Sequence, residues 1–145
     1  MTRPAQTFAN HARWFPLYHF FVLPATIANI IGAAFHAVRH PSAWNWWNVV
    51  MAVAICGLAL AARVMALTVQ DRLIRLEMRM RFAALLPPDQ AAEAGQLPVR
   101  RLVELRFAGD AELPGLVARC LAGELGGRNE IKRAIRDWQA DWVRA

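Results

Sequence analysis

The sequence predicts an all-α membrane protein: an antiparallel two-helix transmembrane hairpin, a long second helix extending into the cytoplasm, and a small C-terminal helical segment. Three observations lead there. Two stretches, Trp14–Val38 and Trp44–Val69, are apolar for more than twenty residues each. Residues 1–70 contain no Asp or Glu, and all eleven acidic residues lie between Asp71 and Asp141. No Gly or Pro stands between Gly57 and Pro87, so the second apolar stretch runs into the charged region as one helix.

The first span reads WFPLYHFFVLPATIANIIGAAFHAV, 25 residues without a full charge. A hydrocarbon core of ~30 Å needs roughly 20 apolar residues in helix, so this stretch crosses with some tilt. Trp14, Tyr18 and His19 gather at its start, as amphipathic rings do at a membrane–water boundary. Pro24 removes a backbone donor and is expected to bend the helix near Phe20. The run is too long for a signal-peptide core and no small-residue cleavage site closes it.

The second span opens with Trp44, Trp46 and Trp47. Only Arg39, His40, Pro41, Ser42 and their neighbours join it to the first, and so short a link calls for antiparallel packing. Two helices apolar all round cannot be covered by the rest of so short a chain, which argues against a soluble core. Arg3 and Arg13 precede the first span, Arg39 alone lies in the link, and Arg72, Arg75, Arg79 and Arg81 follow the second. That bias places both termini in the cytoplasm.

With the turn near His40, Arg63 falls level with Tyr18 and His19, and Ala25 level with Gly57. Arg63 would sit about a turn inside the boundary, where it needs Tyr18, His19 or a lipid phosphate as partner. Ala25, Ala28, Gly32, Gly57 and Ala61 offer small residues for close helix packing.

Beyond Gln70 the chain becomes a basic amphipathic extension over 70–86. Val69, Leu73, Leu76, Met80 and Ala83 recur at spacings of four and three, marking an apolar stripe. Asp71 with Arg75, and Glu77 with Arg81, stand at ion-pair spacing. Arg72, Arg75, Arg79 and Arg81 form a basic edge suited to anionic headgroups.

Residues 87–145 read as short helices with a small core that leans on the membrane-proximal helix, on lipid or on a partner. Pro87-Pro88 ends the long helix and Asp89 caps a short turn reaching Gly95. Three helices are then expected: Pro98–Phe107; Asp110–Leu125, stopping before Gly126-Gly127; and Asn129–Trp138, capped by Asn129 and burying Ile131, Ala134, Ile135 and Trp138. With residues 1–13 as a cytoplasmic tail and 14–69 as the hairpin, this completes the domain plan.

Charge and motif content narrow the function. Seventeen basic against eleven acidic residues give a net charge of +6, which suits anionic lipid or nucleic acid. Beyond Gly95 the acids interleave with the arginines, so no continuous phosphate-facing surface forms and nucleic acid is not an expected partner. Cys56 and Cys120 lie in different environments and read as packing residues. His36 and His40 are four apart, but Pro41 follows and no Cys or carboxylate completes a metal site. There is no intramembrane carboxylate for an ion pathway, no phosphate loop, no G-x-S-x-G and no H-E-x-x-H. No catalytic residue, metal or cofactor is expected. The expected role is that of a non-enzymatic accessory or assembly subunit, in contact with the bilayer and with other membrane subunits or its own copies. An oligomeric transporter component and an anionic-lipid-responsive tether are the alternatives.

The segments NHARWFPLYHFFVLP, ARVMALTVQDRLIRLEMRMR, LPPD, LVELRFAGDAELPGLV and IKRAIRDWQADWVRA together cover nearly the whole chain. Their layout resembles a family of uncharacterised bacterial two-span inner-membrane proteins, some of which carry an automatic transporter-permease label. The resemblance implies a bacterial inner-membrane location and brings no site residues with it. One departure is Gly109, where a Ser cap before Asp110 is expected.

Overall fold

The computed structural model describes residues 7–8, 14–127 and 129–141, so most of the 1–13 tail, including Arg3 and Arg13, lies outside the described residues. The described chain is helical: a π-helical turn over Leu17–Val22, then α1 (Leu23–Arg39), α2 (Ala43–Leu85), α3 (Pro88–Ala94), α4 (Val99–Leu105), α5 (Leu113–Leu121) and α6 (Glu130–Ala134). It divides into two compact units, Arg13–Leu67 and Thr68–Ala145 with Met1–Ala12. Helix α2 belongs to both.

In the first unit, the disturbance expected near Phe20 takes the form of the π turn. Pro24 has no N–H to offer the preceding turn, and the backbone widens just before it, with the Leu23 N–H donating to the Tyr18 carbonyl. The Thr26 hydroxyl donates to the Leu23 carbonyl at 2.9 Å, satisfying its own polarity within the helix. Between α1 and α2, Ser42 Oγ accepts the Asn45 N–H at 3.1 Å, a local cap that starts α2. Asn45 Nδ2 in turn donates to the His40 carbonyl at 2.6 Å.

Leu17–Arg39 and Ala43–Leu85 are both long and apolar enough to cross a membrane. Only 11% and 6% of their most apolar windows are buried, so the apolar stretches of both helices are left largely uncovered by the rest of the chain. Phe20, Ile31, Leu58 and Met65 stand 64–71% exposed. Such surface is stable among lipid tails and costly in water.

The second unit has a genuine core. Ile74, Met78, Phe82 and Leu86 of α2 and its end pack with Ala94, Leu97, Leu102, Leu105, Phe107, Leu113, Leu116, Val117, Cys120, Leu125, Ile131 and Ile135. The C-terminal helices therefore pack on the C-terminal part of α2, but not through the stripe expected from the sequence. Val69, Leu73, Leu76, Met80 and Ala83 are exposed, whereas Phe82 and Met78 are sealed from solvent. The stretch carries two apolar rows, and the row at strict spacing of four is the one buried, with the Phe82 ring fully enclosed in the cluster.

The other element bounds shift for local reasons. Helix α5 ends at Leu121 rather than Leu125, because Gly123 takes φ +79 and closes the helix. The Gly123 N–H donates to the Cys120 carbonyl at 3.2 Å and the Glu124 N–H to that of Arg119 at 3.0 Å, a Schellman closure. Helix α6 is shorter than expected: Ile135 is extended, and Trp138 pairs with Ala108 in an antiparallel bridge. There the Gln139 N–H donates to the Phe107 carbonyl at 2.7 Å and the Gly109 N–H to that of Asp137 at 2.8 Å. The Phe107 and Trp138 rings lie 5.3 Å apart. Asn129 precedes α6 with φ +63 and makes no side-chain cap.

Candidate functional site

The arginines after Gln70 separate into two kinds. Arg81, expected at the headgroup edge, turns into the second unit: its guanidinium donates to Asp110 at 2.5 Å, to the Ala108 carbonyl at 2.9 Å and to the Arg106 carbonyl at 3.2 Å. It thereby satisfies carbonyls left over where α4 ends. Arg79 reaches the Gly95 carbonyl at 3.4 Å and lays its stem beside Gly95. Arg72 is exposed and Arg75 half-buried. Among the described residues neither Asp71–Arg75 nor Glu77–Arg81 forms an ion pair. Arg81 goes to Asp110 instead, with the added reward of two carbonyls.

On the opposite side of α2 from Ile74, Met78 and Phe82, at 100° per residue, lie Val69, Leu73, Leu76 and Met80, which are 53–66% exposed. Arg72 borders this row on one side and Glu77 on the other, and both are exposed.

Within the first unit, Arg63 sets its guanidinium carbon 5.8 Å from the Tyr18 ring centroid, within cation–π range. His19 contacts Tyr18 edge-on at 5.2 Å and Trp14 at 5.0 Å. Arg63 therefore ends in an aromatic cluster. The small residues are placed differently from the sequence expectation: Ala25, Ala28, Gly32, Gly57 and Ala61 are all exposed, and a Cβ at Gly32 or Gly57 would meet open space. The residues with least exposure are Thr26, Ala37 and Ala52. His36 and His40 bring their rings to 5.0 Å.

Two carboxylates that sequence reasoning passed over hold backbone together. Glu112 accepts the N–H groups of Arg136 and Asp137 at 3.1 and 3.2 Å, fastening the segment that pairs with Ala108. Glu130 accepts the N–H groups of Gly127 and Gly126 at 2.7 and 3.1 Å, and these hold its carboxyl below the usual range. The G-G-x-x-E spacing was the available signal for Glu130. Glu112 has no local one. A recess of about 220 Å³ near Glu130 is lined by Arg100, Arg101, Glu104, Gly126 and Gly127. Glu104 sits 3.8 Å from Arg100, and its second oxygen is sealed from solvent. Burial pushes the Cys120 thiol up, against the pull of Arg101 and Arg119, so it stays protonated as a core residue.

These features define an all-helical protein with two helices able to span a membrane and a folded helical unit carried on the second. Over residues 1–145 the chain matches DUF6526, a family of unknown function, and it belongs to that family. No curated protein and no solved structure matches it.

Proposed function

We propose that this chain is a non-enzymatic integral membrane protein that works through protein–protein contact, as an accessory or assembly subunit of a larger membrane complex. The observation that carries this reading is the double use of α2 beyond the apolar span. One face builds the core of the C-terminal unit, while the opposite face, Val69, Leu73, Leu76 and Met80, is left exposed. The helix that carries this face, α2, is continuous over Ala43–Leu85, which suits a contact surface close to the bilayer.

Further features support the topology proposed. The less exposed residues of α1 and of the first half of α2 recur at spacings of three and four: Thr26, Ile30, Ala33 and Ala37 on one, Val49, Ala52, Cys56, Ala59 and Arg63 on the other. Together with the short link and the Arg63–Tyr18 contact, this supports an antiparallel hairpin. The Lys/Arg bias supports cytoplasmic termini at a bacterial inner membrane. Exposed Arg72 and half-buried Arg75 favour anionic headgroup contact near the end of the span, which keeps the lipid-responsive tether as a second reading.

Gentle detergent extraction followed by native mass analysis tests the proposal. The expected result is a stoichiometric foreign subunit retained with the chain. A lone monomer carrying anionic lipid would replace this reading by the tether, and a homo-oligomer without any other subunit by the transporter component.

A further inference from the structure

We infer that the exposed row on α2 is a parallel coiled-coil seam, and that its occupant is a second copy of this chain. The inference rests on the contact reading above: it assigns this face of α2 to a second copy and leaves a foreign subunit to meet other surfaces of the paired chains.

The spacing is the first argument. Val69, Leu73, Leu76, Met80 and Ala83 follow steps of four, three, four and three, the 3.5-residue repeat that keeps a seam facing one partner helix along its length. The face used for the unit's own core, Ile74, Met78 and Phe82, has steps of four only, which drifts around the helix. Two heptads in water are too few to hold helices together unaided. Here each seam extends a helix long and apolar enough to lie in a bilayer, so two copies share a surface and a direction, and association resembles an intramolecular step.

The second argument is charge. With Leu73 and Met80 at the a positions and Leu76 and Ala83 at d, Arg72 falls at g and Glu77 at the following e. In a parallel pair the g residue of one helix faces the e residue five positions on in the other. Arg72 therefore meets Glu77 of the second copy, twice by symmetry. Both side chains are exposed, and among the described residues neither forms an ion pair within its own chain. An antiparallel pairing would set Arg72 and Arg79 on the same edge as their counterparts, and it would need the two copies to cross the bilayer in opposite directions.

The test uses the full chain in membranes, with Cys56→Ala as background and Cys120 left in place because it is buried. Leu76→Cys is exposed enough to leave the core intact, and Glu93→Cys on α3 serves as an exposed control. Under mild oxidation, Leu76→Cys should give several-fold more disulfide-linked homodimer than Glu93→Cys. Adding Arg72→Glu or Glu77→Arg to Leu76→Cys should lower that yield about threefold, and combining both should restore it. Equal yields from Leu76→Cys and Glu93→Cys, or no recovery in the combined charge exchange, would overturn the seam. A foreign subunit retained in native mass analysis alongside a non-dimerising Leu76→Cys would leave the accessory reading standing and remove only this inference.

Discussion

The guanidinium of Arg81 binds the carboxylate of Asp110 at 2.5 Å across 29 residues of sequence, tying the last turn of α2 to the approach to α5. The ion pair is the weaker part of this arrangement, because Asp110 is 64% exposed and its charge is screened by water. The stronger part is the pair of carbonyls, Arg106 and Ala108, that Arg81 also satisfies. Arg81→Ala should therefore destabilise the C-terminal unit by about 2–3 kcal/mol, since it leaves both carbonyls without their charged donor. Asp110→Asn should cost less than about 1 kcal/mol. Thermal melts of the detergent-solubilised chain, followed by circular dichroism, compare the two. Equal losses would show that the ion pair alone holds the contact.

Gly123 is required for its backbone. With φ at +79 it supplies the left-handed residue that lets Glu124 and Gly123 close back onto Arg119 and Cys120. A Cβ there meets no neighbour, so the effect of substitution is conformational rather than steric. Gly123→Ala should cost about 1 kcal/mol, with Gly123→Asn costing less because Asn tolerates this region. A melt of Gly123→Ala that matches the parent would contradict the closure.

What could be seen in the sequence follows from the range of each interaction. The spans are legible because the absence of charge over Trp14–Val38 is a property of the segment itself. The C-terminal core is not, because α2 offers both Leu73–Leu76–Met80 and Ile74–Met78–Phe82, and periodicity cannot say which row meets residues forty positions later. Gly109 shows the same limit. As a sequence position it is a missing Ser cap, yet in the fold a Cβ there would come within 2.8 Å of the Asp137 carboxyl carbon and 3.4 Å of its Cβ. Arg81 and Glu112 likewise take distant partners, and local i,i+4 rules assigned Arg81 to Glu77 instead.

Glu130 ties stability to pH. Its folded carboxyl lies below the ordinary value of about 4.5 because the Gly127 and Gly126 N–H groups bind the ionised form. A carboxyl more acidic in the folded state contributes stability above the unfolded value, and that contribution fades as pH falls through the folded one. Glu130→Gln should therefore lose melting temperature at pH 7 and show a shallower decline than the parent below about pH 4.5. Parallel melting curves for parent and Glu130→Gln across the acidic range would show that the carboxylate does not hold Gly126 and Gly127.

Phe82 and Leu76 test which face of α2 the C-terminal unit uses. Phe82 is fully buried and touches the cluster built from α4 and α5, whereas Leu76 is 57% exposed on the other side of the same helix. Phe82→Ala removes a ring from a closed core and should cost about 3–5 kcal/mol. For a unit of this size, that should shift the melt by well over ten degrees or abolish the folded signal. Leu76→Ala should leave the monomer's stability within about 0.5 kcal/mol, since more than half of the side chain is already exposed and none of it belongs to the buried cluster. Urea titration of the monomer in mild detergent separates the two by midpoint, and limited proteolysis at 87–141 gives an independent reading of the same unit. Should Leu76→Ala prove as damaging as Phe82→Ala in monomer, the helix must present its other row to the core. The heptad row could not then be available to a partner.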